Sequence, residues 1–340
     1  MPRAVWTKIL SDVSIKRSSQ TLAILSNNAY IYGGELRPRE PVDSAVYRLS
    51  LNASTSSNSS VIQTPLSPTH PQPRVGSAST ALAGRLYIFS GRGGIAMAPI
   101  EEAGSFWVFD PTQNTWSQLS PVDPKSEHPV GRSYHTLSNN GTDTIYLHAG
   151  CPASGRLRDL WAFNIHSRQW RELPSAPGPE RGGASIAYAN QRIYRMNGFD
   201  GTREQGGAVD VYDLQTNEWT SLTYAPDGIS GPSPRSVGCL LVTMIGGRQS
   251  LVTMFGEHDP SNLGHQGAGK MLADVWAFDL QSQRWAQVDV AEPNRPPARG
   301  WFDADVIGPE ADASSGSIII HGGLAESNER LDDVWRLDFV

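Results

Sequence analysis

Hydrophobic and polar residues follow the same order six times along the chain. In each copy a short apolar run ends in glycine, and after a loop a second run alternates apolar and polar residues. The glycine-ended runs cover residues 30–34, 87–91, 146–150, 194–198, 252–256 and 318–323. The alternating runs cover residues 46–49, 106–110, 160–164, 209–213, 275–279 and 334–338. Alternation with a period of two predicts strands, and a strand-rich repeat of about 50 residues predicts a propeller.

An arginine opens each copy, and a lone tryptophan closes four of the copies. The opening arginines are Arg17, Arg74, Arg132, Arg181, Arg235 and Arg299. The closing tryptophans are Trp116, Trp170, Trp219 and Trp285. Because the arginines recur with the repeat, we expect them to be structural and to donate hydrogen bonds to carbonyl groups of neighbouring blades.

The sixth copy has no closing strand after residue 338, whereas residues 4–9 resemble residues 114–119 around Trp116. We therefore predict that residues 1–10 complete the last blade and close the ring, which protects the sheet edges. The predicted fold is an all-β, six-bladed propeller, with residues 1–340 forming a single domain. Residues 52–60 and 308–316 interrupt the repeat and are predicted to be insertions.

Composition and charge narrow the range of binding partners and locations that we expect. The net charge is -6 and lysine and arginine form no run, so we do not expect nucleic acid binding. No apolar stretch is long enough to span a membrane, and the first residues lack a signal-peptide core. The two cysteines, Cys151 and Cys239, lie in different copies. We read them as free thiols of a cytoplasmic protein.

Candidate functional residues lie in the loops rather than in the repeated strands. Antiparallel alternation brings the starts of first strands and the ends of second strands to one rim of the ring, beside the central channel. Binding residues are concentrated on such loops. The candidates for this rim are Glu35, Arg92, Tyr134, His135, Arg156, Arg158, Glu257, His265, Trp301 and Asn328.

The types of these residues suggest two chemistries. Arg92 and Arg156 suit an anion such as a sulfate, carboxylate or enolate. Glu257 and His265 suit proton transfer near neutral pH. The same two residues could instead bind Fe(II) or Zn(II), with Asp259 as a possible third ligand.

The repeated module resembles that of Kelch-repeat propellers over the whole chain. Within this class, the loop sequences resemble those of the plant specifier proteins, which include epithiospecifier, nitrile-specifier and thiocyanate-forming proteins. The segments that carry the resemblance are residues 33–38, 181–184, 234–237, 299–301, 321–324, 328–330 and 332–333.

The resemblance implies a function and a set of site residues. Specifier proteins direct the unstable aglucone of glucosinolates to nitriles, epithionitriles or thiocyanates with the help of Fe(II). Their iron ligands, carried over, fall on Glu257, Ser261 and His265, so serine stands where an aspartate is expected. Their substrate-binding arginines fall on Arg92 and Arg156.

Three functions are compatible with these observations. The leading hypothesis is a small-molecule enzyme, a lyase, isomerase or cyclase of specialised metabolism, that steers a reactive intermediate by non-redox chemistry and needs no cofactor. The first alternative is an Fe(II)-dependent specifier protein acting on glucosinolate aglucones. The second is a protein-interaction propeller with a protein partner.

Overall fold

The computed structural model describes residues 1–51, 60–291, 293–308 and 314–340. The predicted insertions therefore lie largely outside the described residues. The described strands form six antiparallel four-stranded meanders around a central channel. From the inside outwards, the strands of blades 1 to 3 are Ser18–Leu25, Asn28–Arg37, Val46–Ser50 and Val61–Gln63; Ala78–Leu82, Arg85–Phe89, Phe106–Asp110 and Thr115–Leu119; and Thr136–Asn139, Thr144–Gly150, Leu157–Asn164 and Gln169–Leu173.

The other three blades repeat this order. Their strands are Ser185–Ala189, Arg192–Met196, Ala208–Asp213 and Glu218–Thr223; Cys239–Ile245, Arg248–Met254, Val275–Asp279 and Arg284–Gln287; and Asp303–Ile307, Ser317–His321, Asp333–Phe339 and Arg3–Ser11. Short strands outside the meanders are Glu40–Pro41, Arg74–Val75, Arg92–Gly93, Ala98–Pro99, Glu257–Asp259, Lys270–Met271 and Asp289–Val290. Single turns of 3-10 helix cover Val13–Ile15 and Gly264–Gln266. Over the described ranges, no helix has the length and apolarity to cross a membrane.

The N-terminal strand closes the ring, which confirms the prediction. Arg3–Ser11 pairs antiparallel with Asp333–Phe339, from Ala4 opposite Phe339 to Ser11 opposite Asp333. Trp6 is buried in the core between the last two blades, where its ring lies 5.9 Å from that of Phe255. The first and last segments of the described chain are therefore held in one sheet.

Aromatic side chains join neighbouring blades. The closing Trp170 of blade 3 stacks on Phe106 of blade 2, with ring centroids 5.4 Å apart, and its Nε1 donates to the Gly104 carbonyl at 2.8 Å. Trp116 of blade 2 similarly contacts Tyr32 of blade 1 edge to face. Such pairs add to the free energy gained from apolar burial and fix the angle between blades.

The six opening arginines are buried and structural, as expected, but they bind within their own blade. Each Nη1 donates to a carbonyl at the end of the same blade's second strand, at Gly33, Ser90, Ala149, Asn197, Phe255 and Gly322. The expectation of neighbouring-blade carbonyls was therefore wrong. The first and second strands are adjacent in each meander, so the nearest unpaired carbonyl belongs to the same sheet.

Four of these arginines also share an acidic residue with a tryptophan. In blade 6, Arg299 binds Asp333 through two hydrogen bonds of 2.7 and 2.9 Å, and the Trp335 Nε1 donates to Asp333 at 2.7 Å. The same arrangement recurs at Glu102, Asp159 and Asp274. The acidic partner satisfies the buried guanidinium, and this is why an acidic residue precedes the alternating strand.

A closed ring of six backbone hydrogen bonds surrounds the central channel where the innermost strands begin. Its members are Ser19, Gly76, Tyr134, Gly183, Val237 and Trp301, and each amide donates to the member in the preceding blade at 2.7–3.0 Å. All six have a left-handed backbone, with φ between 48 and 63°. This conformation is uncommon for bulky residues and is found at functional sites. The ring fixes the backbone of the candidate residues Tyr134 and Trp301.

Candidate functional site

Each blade carries a short lip on the loop face, where the residue after the strand-ending glycine pairs back to the segment before the first strand. The six residues at this position are Glu35, Arg92, Cys151, Phe199, Glu257 and Leu324. They occupy equivalent places in the repeat but have different chemistry. The lips therefore hold the functional variation on a repeated scaffold.

A cavity of about 180 Å³ opens between the lips of blades 1, 2 and 3, and we call it the loop-face cavity. Four of its lining residues were predicted from the sequence: Glu35, Arg92, Tyr134 and Arg156. The other side chains that line it are Arg39, Val75, Met97 and Cys151. Typical pockets for drug-sized ligands measure about 300–1,000 Å³, so this cavity suits a small ligand.

Arg92 is held rigidly at the cavity wall. Its Nε donates to the Ser133 hydroxyl at 2.7 Å, and its Nη2 donates to the Pro152 carbonyl at 3.1 Å. Its Nη1 lies 3.4 Å from the Met97 carbonyl. These contacts use three of the five N–H groups of a guanidinium, so two remain for a ligand.

Arg156 is held mainly by an aromatic ring. Its guanidinium carbon lies 5.0 Å from the centre of the Phe199 ring, a cation–π contact. Its Nε is buried and has no hydrogen-bond partner among the described residues. A buried donor without a partner is energetically costly.

Glu35 closes one side of the cavity through a buried ion pair. Its Oε1 lies 3.2 Å from Nη2 of Arg330, and its Oε2 accepts from the Arg39 amide at 2.7 Å. Burial raises the pKa of Glu35, although Arg330 and the Arg39 amide oppose the shift. Arg330 lies in the lip of blade 6 and brings a positive charge to this rim. It was not among the residues predicted from the sequence.

Tyr134 and Cys151 complete the cavity wall. The Tyr134 ring packs against Gly76, where an added Cβ would lie 3.1 Å from the ring. Burial raises the pKa of Tyr134, with Glu35 adding to the shift, so the phenol is protonated and can donate. Cys151 is a free thiol whose pKa burial also raises, against the opposing charges of Arg156 and Arg92.

Two buried carboxyl groups continue the rim beyond Arg156. Glu257 accepts from the Gly269 amide at 2.9 Å, and burial raises its pKa to about 7. Glu204 lies directly opposite Phe199 in the blade 4 lip, and burial raises its pKa to about 8, with the charges of Glu257 and Asp200 adding to the shift. Glu257 was among the residues predicted from the sequence, and Glu204 was not.

The other predicted residues lie elsewhere. His135 and Trp301 line the central channel, a space of about 460 Å³ whose wall also includes Tyr134. His135 packs edge-on against Phe89, and burial lowers its pKa to about 3, so the ring is neutral. Arg158 is exposed and points to the Gly178 carbonyl at 3.3 Å. Asn328 is exposed and donates to the Gln266 carbonyl at 3.1 Å.

The described residues do not form an iron site. The Asp259 side chain is mostly exposed and lies 3.2 Å from His258 Nε2, and the Ser261 hydroxyl accepts from the Leu263 amide. The His265 side chain lies outside the described residues. Across the part of the chain that the structure describes, no three His, Cys, Asp or Glu side chains are grouped so that they could hold a metal ion.

Six meanders, each with a glycine at the end of its second strand, close into one ring, and this is the architecture of a Kelch propeller. The chain matches the KLHDC2/KLHL20/DRC7 Kelch-repeats domain over residues 19–256, and it belongs to this family. The solved structure of YjhT superimposes with a TM-score of 0.70 over 96% of each chain, at 18% identity, which supports the fold.

The resemblance to the specifier proteins is also confirmed. The chain is 26% identical to the N-(sulfonatooxy)prop-2-enimidothioate sulfolyase of Thlaspi arvense, over 97% of this chain and 95% of that protein. It is 21% identical to the leucine-zipper-like transcriptional regulator 1 homolog of Drosophila melanogaster, of which it spans 32%. The match with the sulfolyase thus extends over nearly the full length of both proteins. The match with the Drosophila protein covers only a part of that protein, of about the size of one propeller.

Proposed function

We propose that this chain is a small-molecule enzyme of the lyase type, which binds an anionic substrate in the loop-face cavity and steers its reaction without redox chemistry. The observation that carries the proposal is the pair of arginines in one small cavity, where Arg92 keeps two N–H groups unused. The six blades, acting as a single domain over residues 1–340, form the scaffold. Two free thiols agree with the predicted cytoplasmic location.

The arginines would act on the charge that develops during the reaction. Arg92 is pre-oriented by three protein contacts, so little of its side-chain entropy remains to be lost when an anion binds. Fixed guanidinium groups stabilise a leaving oxyanion more in the transition state than in the ground state. The named substrate of the Thlaspi arvense relative carries a sulfonatooxy group, which is such an anion.

Proton transfer would be carried out by titratable residues on the rim beyond Arg156. Glu257 has a pKa of about 7, near the optimum for a general acid or base at neutral pH. His265 is its partner in the acid–base pair predicted from the sequence. The same groups would serve an isomerase or a cyclase, and positioning of an unstable substrate in a small cavity adds to the rate.

Turnover by variants of the two arginines tests this proposal. The substrate is N-(sulfonatooxy)prop-2-enimidothioate, released in the assay from its glucosinolate by a thioglucosidase. We expect Arg92→Ala and Arg156→Ala each to reduce product formation about 100-fold while the circular dichroism spectrum stays unchanged. Undiminished turnover in both variants would sink the assignment. A stoichiometric protein partner, together with no affinity for anions, would favour an interaction propeller instead.

An Fe(II)-dependent specifier protein is the second candidate, favoured by the nearly full-length similarity to the sulfolyase. It requires ligands beyond Glu257, of which His265 is the predicted one. The same assay in excess chelator separates the two candidates. Product formation that survives chelation supports the metal-independent lyase, and its loss, with recovery on adding Fe(II), supports the specifier protein.

A further inference from the structure

Glu204 is a buried carboxyl group that the proposed chemistry does not use. The residue is only 8% exposed, and neither carboxyl oxygen has a hydrogen-bond partner among the described residues. The Ser236 hydroxyl opposes the rise in its pKa. Buried polar groups are normally hydrogen-bonded, so this exception requires a physical explanation.

An unsatisfied donor belongs to Arg156, whose charge acts on Glu204. Glu204 and Phe199 pair across the blade 4 lip, so their side chains leave the same face of this lip with Cβ atoms about 5 Å apart. The Arg156 guanidinium lies over the Phe199 ring, 5.0 Å from its centre, and its Nε is buried without a partner. The carboxyl group and the guanidinium are thus neighbours that have not formed an ion pair.

Charge explains why the pair is not formed. An ionised carboxylate without partners is strongly disfavoured in a buried site. Burial accordingly raises the pKa of Glu204 to about 8, with smaller contributions in the same direction from the Glu257 and Asp200 carboxylates and an opposing one from Arg156. At neutral pH the group is therefore mostly neutral and leaves the Arg156 charge free.

We propose that Glu204 is a positioning residue that acts as the counter-ion of Arg156, and that its protonation state sets the affinity of the loop-face cavity for an anion. This rests on the proposed function, in which Arg156 binds that anion. Protonated Glu204 leaves the guanidinium available to the cavity. Deprotonated Glu204 attracts the guanidinium and competes with the ligand, because a charge-assisted pair is stronger than a neutral hydrogen bond.

The sign of the pH effect follows from the raised pKa. The guanidinium stays charged at all pH values of interest, so Glu204 is the group that changes. As the pH rises through about 8, Glu204 loses its proton and anion affinity falls. The charged and titratable groups that face Glu204 are Arg156, Asp200 and Glu257.

Calorimetric titration with inorganic sulfate tests the proposal, because sulfate keeps its charge over this range. For the wild-type protein we expect affinity to fall about tenfold between about pH 6 and about pH 9. Glu204→Gln, an isosteric neutral side chain, should retain the tight binding of low pH and lose most of the slope. Glu204→Asp keeps the charge and should keep the slope. Glu218→Gln, on the exposed outer strand of the same blade, is the matched control.

Each outcome decides a different claim. A Glu204→Gln slope equal to that of the wild type overturns the role of Glu204 and leaves the anion site intact. Sulfate affinity that is the same in wild type, Arg92→Gln and Arg156→Gln, or no sulfate binding at all, overturns the anion site and this proposal with it. Unfolding of Glu204→Gln would be seen by circular dichroism, and Glu204→Ala, which also removes the carboxyl group and should lose the slope, then carries the comparison with the wild type.

Discussion

Two sets of arginines in this propeller have the same side chain and opposite environments. The repeat-opening set is buried, binds a carbonyl at the end of its own blade's second strand, and in four blades also binds an acidic residue. The loop-face set, Arg92 and Arg156, faces a cavity and has donors left over. A guanidinium bound to the carbonyl and acidic groups of its own blade stabilises the fold, whereas one that lines a cavity and keeps unused donors is available to a ligand.

The largest expected effect is a difference in protein stability between variants of the two sets. Arg299→Ala should lower the free energy of unfolding by about 3–5 kcal/mol, because it leaves the buried Asp333 without its charge partner. Arg156→Ala is the matched variant and should cost less than about 1 kcal/mol, because its guanidinium lies against the Phe199 ring and removing it leaves no described acidic group without an ion-pair partner. Urea denaturation followed by tryptophan fluorescence measures both. Equal losses would remove the distinction between the sets.

The repeat was readable from the sequence because its physical causes are local. Period-two alternation, a glycine at the strand end and an arginine at a fixed place mark every blade, and the N-terminal copy of the closing strand indicated ring closure. The same pattern did not show that the opening arginines bind within their own blade. That contact depends on which carbonyl the adjacent strand leaves unpaired.

Part of the site could be predicted from the sequence for a related reason. Glu35, Arg92 and Glu257 each follow the strand-ending glycine directly, so alignment of the copies finds them. Glu204 and Arg330 lie on the returning half of the lip, after loops of unequal length, and no fixed spacing identifies them. His135 and Trp301 lie just before the innermost strands, and whether such residues face the cavity or the channel depends on the left-handed backbone ring.

A smaller effect sharpens the comparison at the cavity itself. Cys151 lines the loop-face cavity and is partly exposed, whereas Cys239 is 7% exposed in the core between blades. Iodoacetamide should therefore alkylate Cys151 well before Cys239, and sulfate should slow the reaction of Cys151 about twofold to tenfold by occupying the cavity. Peptide mass spectrometry distinguishes the two sites. Faster labelling of Cys239, or no protection by sulfate, would contradict the described cavity.

The central claim is that Arg92 and Arg156 together form an anion site, and the position of a bound anion tests it most directly. Crystals of the wild-type protein soaked in selenate, a heavier analogue of sulfate, can be measured at the selenium absorption edge. The account predicts an anomalous peak in the loop-face cavity, within hydrogen-bonding distance of both guanidinium groups. Selenate bound at other places on the protein, with no peak between Arg92 and Arg156, would contradict it.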